Sequence, residues 1–301
     1  MPALLHIITL IFGIALGMPA VAHPDEIPYV TTPAAVVDAM LSIAGVGDKD
    51  YLFDLGSGDG RIVIAAAKQF QARGVGIELD GTLVDQSRES AAREGVSDRV
   101  EFLQQDIFSS DFRDATVLTM YLLPEVNLDL RPRILFGMRP GTRVVSHDWD
   151  MGDWEPDDRR VIPTSEKAVW PLTESRVYLW IVPARVSGYW RGTLVGPDGE
   201  EPVVIEFAQR FQNASANVWL RRWTLAGTGR IRGNSVVVRL DRSSWKPGSA
   251  PLQFTLRVDE GRIEGEARDG RERFLLRRGL ARLTLRQMKS ATPRGSEALA
   301  P

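Results

Sequence analysis

The chain has 301 residues, 44% of them hydrophobic and 25% charged, with 37 basic residues against 39 acidic and a formal net charge of -2. That balance leaves no overall basic surplus to neutralise phosphates, which reads against nucleic acid as a partner, and the length predicts two domains of about 150 residues each. No cysteine is present, so disulfides, cysteine-ligated zinc and thiol nucleophiles are excluded together.

Ala3 to Ala22 is almost wholly apolar, interrupted by His6 and Thr9, and ends Ala20-Val21-Ala22. The small residues at 20 and 22 fit an A-x-A cleavage site and the stretch from Leu4 to Leu16 has the length of a signal core. Residues 1–22 are therefore expected to be a secretory signal or, since about 20 apolar residues can span a bilayer, a membrane anchor. The expected location is exported to the periplasm or membrane-anchored, anchoring on the cytoplasmic face included, with N-terminal membrane contact.

Thr32 is expected to cap a first helix, with Pro33 at its first position and Val36, Val37, Met40 and Leu41 recurring at helical spacing. Apolar runs then predict strands at Tyr51 to Leu55, Val75 to Leu79, Val100 to Leu103, Thr116 to Tyr121 and Arg143 to Ser146. Between them, helices are predicted near Arg61 to Phe70, Leu83 to Glu94 and Leu128 to Met138, the alternation of parallel βαβ units. Strands at Val161 to Trp170 and Arg176 to Val182 complete a doubly wound, mostly parallel α/β sheet of seven strands over residues 23–183.

The first strand runs into Asp54-Leu55-Gly56-Ser57-Gly58-Asp59-Gly60-Arg61, three glycines in five positions at a strand-to-helix corner. A dinucleotide corner reads G-x-G-x-x-G with pyrophosphate on the helix N-terminus; here Arg61 occupies the last glycine's place. Asp54 and Asp59 would repel a pyrophosphate but suit a cofactor with an ammonium and a sulfonium, and S-adenosylmethionine carries both. Glu78, 18 residues beyond Gly60 at the tip of the next strand, is placed to accept hydrogen bonds from ribose hydroxyls.

On these motifs, with Asp106 in Gln104-Gln105-Asp106-Ile107-Phe108, residues 51–146 resemble a class I S-adenosylmethionine-dependent methyltransferase. The resemblance implies that the glycine loop (Gly56, Ser57, Gly58, Asp59 and Gly60, after Asp54) and Glu78 hold the cofactor, that Asp106 pairs with the adenine amine, and that the last two strands form an antiparallel edge. Pro28-Tyr29-Val30-Thr31-Thr32-Pro33 and Pro124-Glu125-Val126 are similar to protein-lysine methyltransferases, the archaeal broad-specificity, mitochondrial c-subunit and Dot1-like enzymes. That narrower likeness implies that Tyr29 and Thr32 close over the methionine end of the cofactor.

Tyr121 follows the fourth strand at the carboxyl edge, where open α/β sheets place ligands, and is the candidate catalytic residue, orienting an acceptor amine in a displacement that depends on positioning. Glu125 is expected to orient the amine or cap the next helix. His147-Asp148-Trp149-Asp150, with Asp153, Asp157 and Asp158, reads as an acidic rim that attracts a lysine; one histidine among scattered acids assigns no metal.

From Ala184 the pattern changes to short β runs divided by turn signals, predicting a small all-β antiparallel barrel or sandwich over residues 184–286 and a disordered tail over 287–301. Its eight strands are expected at Tyr189 to Val195, Val203 to Phe207, Ala216 to Leu220, Gly229 to Ile231, Val236 to Leu240, Leu252 to Val258, Arg262 to Ala267 and Arg273 to Leu276. Trp190, Trp219, Trp223 and Trp245 are read as core in preference to a ligand cavity. The expected activity is methyl transfer to a protein lysine or to a small molecule; the alternative is a non-catalytic exported binding protein that keeps the fold.

Overall fold

The computed structural model describes residues 30–164, 173–197, 199–241, 251–268 and 270–279. The apolar N-terminal segment, Tyr29, Trp170, Trp245 and the C-terminal tail lie outside the described residues. Among those described, no helix is long and apolar enough to cross a membrane.

Helix α1 (Ala34–Ala44) leads into β1 (Tyr51–Leu55), α2 (Arg61–Phe70), β2 (Arg73–Glu78), α3 (Gly81–Arg93), β3 (Val100–Gln104), β4 (Val117–Met120), α4 (Pro124–Gly137), β5 (Arg143–His147), β6 (Asp158–Pro163) and β7 (Glu174–Ile181). The strands form one sheet in the order β3-β2-β1-β4-β5-β7-β6. Pairing is parallel from β3 to β5 and antiparallel from β5 to β7 and from β7 to β6.

Central strands covered on both faces read as continuous apolar runs, and β4 is buried at every residue. Leu52, Val117 and Val145 pack under α1, α2 and α3, while Phe53, Leu118 and Val144 pack under α4 and the segment around Trp154. Several element bounds differ from the sequence reading: β6 begins at Asp158, three residues before Val161. Helix α4 begins four residues before Leu128 because Pro124 takes the first helical position. Thr32 does not cap α1: Pro33 holds the cap position without a side-chain bond, and the Thr32 hydroxyl bonds to His147 instead.

The remaining strands are β8 (Gly188–Gly196), β9 (Gly199–Arg210), β10 (Asn213–Trp219), β11 (Thr224–Arg232), β12 (Ser235–Leu240), β13 (Leu252–Asp259), β14 (Arg262–Ala267) and β15 (Arg273–Arg278). Each pairs antiparallel with the next, and β15 returns to β8, closing a barrel. Alternate residues fill its interior, including Trp190, Phe207, Phe254 and Phe274. Trp190 is fully buried there, with its indole N–H donating to the Val186 carbonyl, whereas Trp219 stacks on Tyr189 and Trp223 is exposed. Gly192 is required by closure, because a Cβ there would lie 1.8 Å from the Leu275 carbonyl oxygen.

The barrel sits against the edge of the sheet where β5 begins and β7 ends. Gly233, in the β11–β12 turn, lies against Gly141 and accepts from the Ala184 N–H. Phe211, in the β9–β10 turn, adopts a left-handed φ of 51° that a bulky residue rarely tolerates. Its ring stacks on Trp154 at 6.0 Å beneath the Arg131 guanidinium, contacts that hold the strained backbone. Ion pairs Arg210–Asp153 and Arg230–Asp157 flank it. The two parts are oppositely charged: residues 1–183 hold 27 Asp and Glu against 16 Lys and Arg, and residues 184–301 hold 12 against 21. Complementary charge thus accompanies the apolar contact at the junction.

Candidate functional site

The loop between β1 and α2 lies at the carboxyl edge, with Gly56, Gly58 and Gly60 all at positive φ. Gly60 is the most constrained: a Cβ would stand 2.6 Å from the Phe102 ring and 2.8 Å from the Ser87 hydroxyl. Ser87 in turn donates to the Gly58 carbonyl, fixing the loop to α3.

Glu78 ends β2 directly beneath this loop. One carboxylate oxygen accepts from the Gly58 N–H at 2.9 Å, and the other from Leu79 N–H and Asp80 N–H at 2.7 and 3.0 Å. These backbone donors pre-orient the carboxylate at the loop's lip. Ser57 is buried under the loop, its hydroxyl turned toward β2 and without a hydrogen-bond partner among the described residues. Its N–H, like that of Gly56, donates to the Ile77 carbonyl, so these two positions join the loop to the sheet.

Asp54, the last-but-one residue of β1, is fully enclosed and stands in register with Thr119 of β4, whose hydroxyl donates to it at 2.7 Å. Burial pushes its carboxyl up to about 8; the Thr119 bond opposes that rise, and the charges of Glu78 and Asp59 add to it. A cation brought to this lip would oppose that rise. Asp59 grips the Arg61 guanidinium through two oxygens, and Arg61 also donates to the Thr32 carbonyl at 2.9 Å. The loop and the segment before α1 are thereby tied together.

Asp106 lies in the exposed loop after β3, where one oxygen accepts from the Phe108 N–H. That loop is anchored by Arg133 of α4, which donates to the carbonyls of Ile107, Phe108 and Ser110. Leu79 is 70% exposed beside the tip of β2. Glu125 is exposed in the first turn of α4.

Tyr121 and Asp148 follow β4 and β5 at the same edge. Register brings Tyr121 beside His147, and the two rings pack at 3.9 Å. His147 is fully buried, with Nδ1 3.3 Å from the Thr32 hydroxyl and Nε2 2.9 Å from that of Ser175. The Tyr121 hydroxyl donates to Asp148 at 3.2 Å; desolvation and the neighbouring carboxylate raise the phenol's pKa, so it remains protonated. Asn127 donates to the Ser146 hydroxyl and to the carbonyls of Trp149 and Asp150, holding the loop after β5.

The expected acidic rim divides. Asp153 pairs with Arg131 and Arg210, Asp157 with Arg230, and Asp158 accepts from its neighbour's N–H at the start of β6. Among them Asp148 lies beside Tyr121 at the site edge. Sequence reasoning did not single out Thr119, Arg61, Arg133 or Asn127 as supports; the signal for Thr119 was a polar residue inside an otherwise apolar central strand.

Acids therefore dominate the lip of the glycine loop, and its nearest guanidinium, Arg61, is bound to Asp59. This donor set fits a ligand that is cationic at one end and carries sugar hydroxyls, and it would repel a pyrophosphate.

A sequence profile of the ANTKMT methyltransferase domain matches residues 54–158. The chain is 40% identical over 138 residues to a protein-lysine N-methyltransferase of Saccharolobus islandicus (strain REY15A), covering 46% of this chain and 86% of that protein. It is 34% identical over 131 residues to the adenine nucleotide translocase lysine N-methyltransferase of Mus musculus, covering 44% of this chain and 57% of that protein. A solved structure described as an RNA methyltransferase from Salinibacter ruber, in complex with S-adenosyl-L-homocysteine, shares 50% identity over 52% of this chain and 96% of that one, with a TM-score of 0.47.

Proposed function

The chain belongs to the class I S-adenosylmethionine-dependent methyltransferases, in the protein-lysine group, and from that premise we propose that it methylates the side-chain amine of a protein lysine. Its cofactor is S-adenosylmethionine and its activity is methyl transfer. The observation that carries the lysine reading is the 40% identity to an archaeal protein-lysine enzyme of which the chain covers 86%.

When bound, the cofactor supplies an electrophilic methyl, whose bond to sulfur breaks as the acceptor nitrogen forms its own. The chain's contribution is holding and orienting. Glu78 would take the ribose hydroxyls, the glycine loop with Asp54 the methionine end, and the Asp106 loop the adenine. Arg61 holds the loop and the Thr32 segment in one arrangement. Tyr121 keeps its proton and offers its oxygen's lone pairs to an acceptor N–H. An acceptor amine must be neutral to attack, so an ammonium gives up one proton to solvent before it takes the methyl; desolvation favours that loss and a neighbouring carboxylate opposes it. The barrel sits at the opposite edge of the sheet, which leaves the carboxyl edge open to an acceptor as large as a protein.

The test incubates residues 23–301 with cell-envelope extract and isotopically methyl-labelled cofactor, and maps the label by mass spectrometry. Label on lysine Nε atoms is expected. Label confined to small molecules or to RNA, or no transfer at all, would overturn the lysine reading.

A further inference from the structure

Asp148 is one of four described residues other than glycine at positive φ, with φ +64° immediately after the end of β5. Asp enters this region more readily than most residues, but it does so where neighbours fix it. Here the fixing is to β7: the Asp148 N–H donates to the Arg176 carbonyl at 2.6 Å, and its Oδ1 accepts from the Arg176 N–H at 2.9 Å. With one oxygen held, the other, Oδ2, points at the Tyr121 hydroxyl, 3.2 Å away.

The wall behind is closely packed. The Tyr121 ring is packed on His147, whose two ring nitrogens face the Thr32 and Ser175 hydroxyls, and His147 Nε2 is itself 3.4 Å from Asp148 Oδ2. The Asp148 side chain is 13% exposed, so its charge is largely shielded from water while the lip of the site can still reach it. Thr32 joins this wall to the glycine loop through Arg61, so the same segment borders both halves of the edge. Nearby acids are directed elsewhere: Asp150 accepts from the Gly152 N–H, and Asp153 and Asp157 pair with arginines.

We propose that Asp148 Oδ2 and the Tyr121 hydroxyl form the receptor for the acceptor's ammonium group, and that Asp148 makes the site select cationic amines. This rests on the lysine reading and specifies the atoms that recognise the amine. A carboxylate accepts several N–H donors, and a charge-assisted bond in a water-poor site exceeds the neutral kind. The backbone clamp on Asp148 means that binding the ammonium requires little reorganisation.

Decalysine and its fully Nε-acetylated copy are the probes, titrated calorimetrically at physiological salt into protein saturated with S-adenosylhomocysteine. Asp148→Asn is suited to the test because Asn tolerates the same φ and keeps an oxygen for the Arg176 N–H. Asp150→Asn is a charge-matched control at an exposed position. Wild type is expected to bind decalysine and not the acetylated copy. Asp148→Asn should weaken that binding about tenfold or more, with S-adenosylhomocysteine affinity and melting temperature retained. Asp150→Asn should stay within about twofold of wild type, as an exposed charge does. Equal weakening by the two variants, or none by Asp148→Asn, would overturn this receptor while the lysine reading stands. Failure of wild type to distinguish the two peptides would overturn both.

Discussion

Replacing Thr119 by Val keeps the shape of a fully buried side chain and removes the hydroxyl that donates to Asp54 at 2.7 Å. A hydrogen bond to a charged group contributes roughly 1.5–3 kcal/mol, and about 1.4 kcal/mol corresponds to one pKa unit, so the Asp54 carboxyl should move up by roughly 1–2 units. It starts at about 8. At pH 7.5 about a quarter of the wild-type protein then carries the charge, against roughly 3% down to 0.3% of the variant, and a cofactor that needs the charged form loses apparent affinity in proportion. The expected weakening is about 8- to 80-fold at pH 7.5, shrinking to about fourfold or less at pH 9.5. Because ionisation of the cofactor's own amine is common to both proteins, the ratio of their dissociation constants isolates Asp54. Below pH 8 the wild type should also release a proton on binding, seen as a dependence of the calorimetric enthalpy on buffer ionisation. The sign follows from the raised pKa: the cofactor-free fold holds Asp54 protonated between about pH 4 and 8, where an unfolded chain does not, and loses the associated stability as pH rises through that window. A variant-to-wild-type ratio that stays constant across pH would refute the assignment of Asp54's charge to cofactor binding.

Two substitutions separate backbone demand from packing. Gly60→Ala should cost about 1–2 kcal/mol for its left-handed φ and about 1–3 kcal/mol more for overpacking against Phe102 and Ser87. Gly45→Ala, at φ +60° with nothing within 4 Å, should cost the first amount alone; equal urea midpoints for the two would sink the steric argument. Phe211→Ala removes the half-buried ring between Trp154 and Arg131 and should lower stability by up to about 3 kcal/mol, the low end for a core phenylalanine, with cofactor affinity unchanged. A matching loss of affinity would mean that the junction reaches the site.

What could be read in the sequence was whatever local backbone chemistry enforces. Gly56, Gly58 and Gly60 announced a strand-to-helix corner because only glycine adopts such φ values freely, and Glu78 stood where a βα unit puts the next strand's tip. Turn signals located the eight barrel strands, yet not their closure, since the pairing of β15 with β8 joins segments about 80 residues apart. Thr32 was misread as a helix cap because its partner, His147, lies 115 residues away. The same distance effect hid Thr119 behind Asp54, and left Asp153 and Asp157 looking like part of the site until Arg131, Arg210 and Arg230 were in place beside them. The backbone setting of Asp148 depends on β7, which packs beside β5 only in the folded sheet.

The seating of the barrel on the edge where β5 begins makes the molecule a shaft with a working end and a handle. The described chain enters at Val30, two residues before Thr32 at the working end, and leaves from β15 in the handle. A surface or partner that grasps the barrel would therefore turn the loops after β1, β2, β4 and β5 outward. Fusions and labels on the β10–β11 turn would ride far from the chemistry. The same layout would let the barrel's outer wall vary without redrawing the glycine loop and its neighbours at the carboxyl edge.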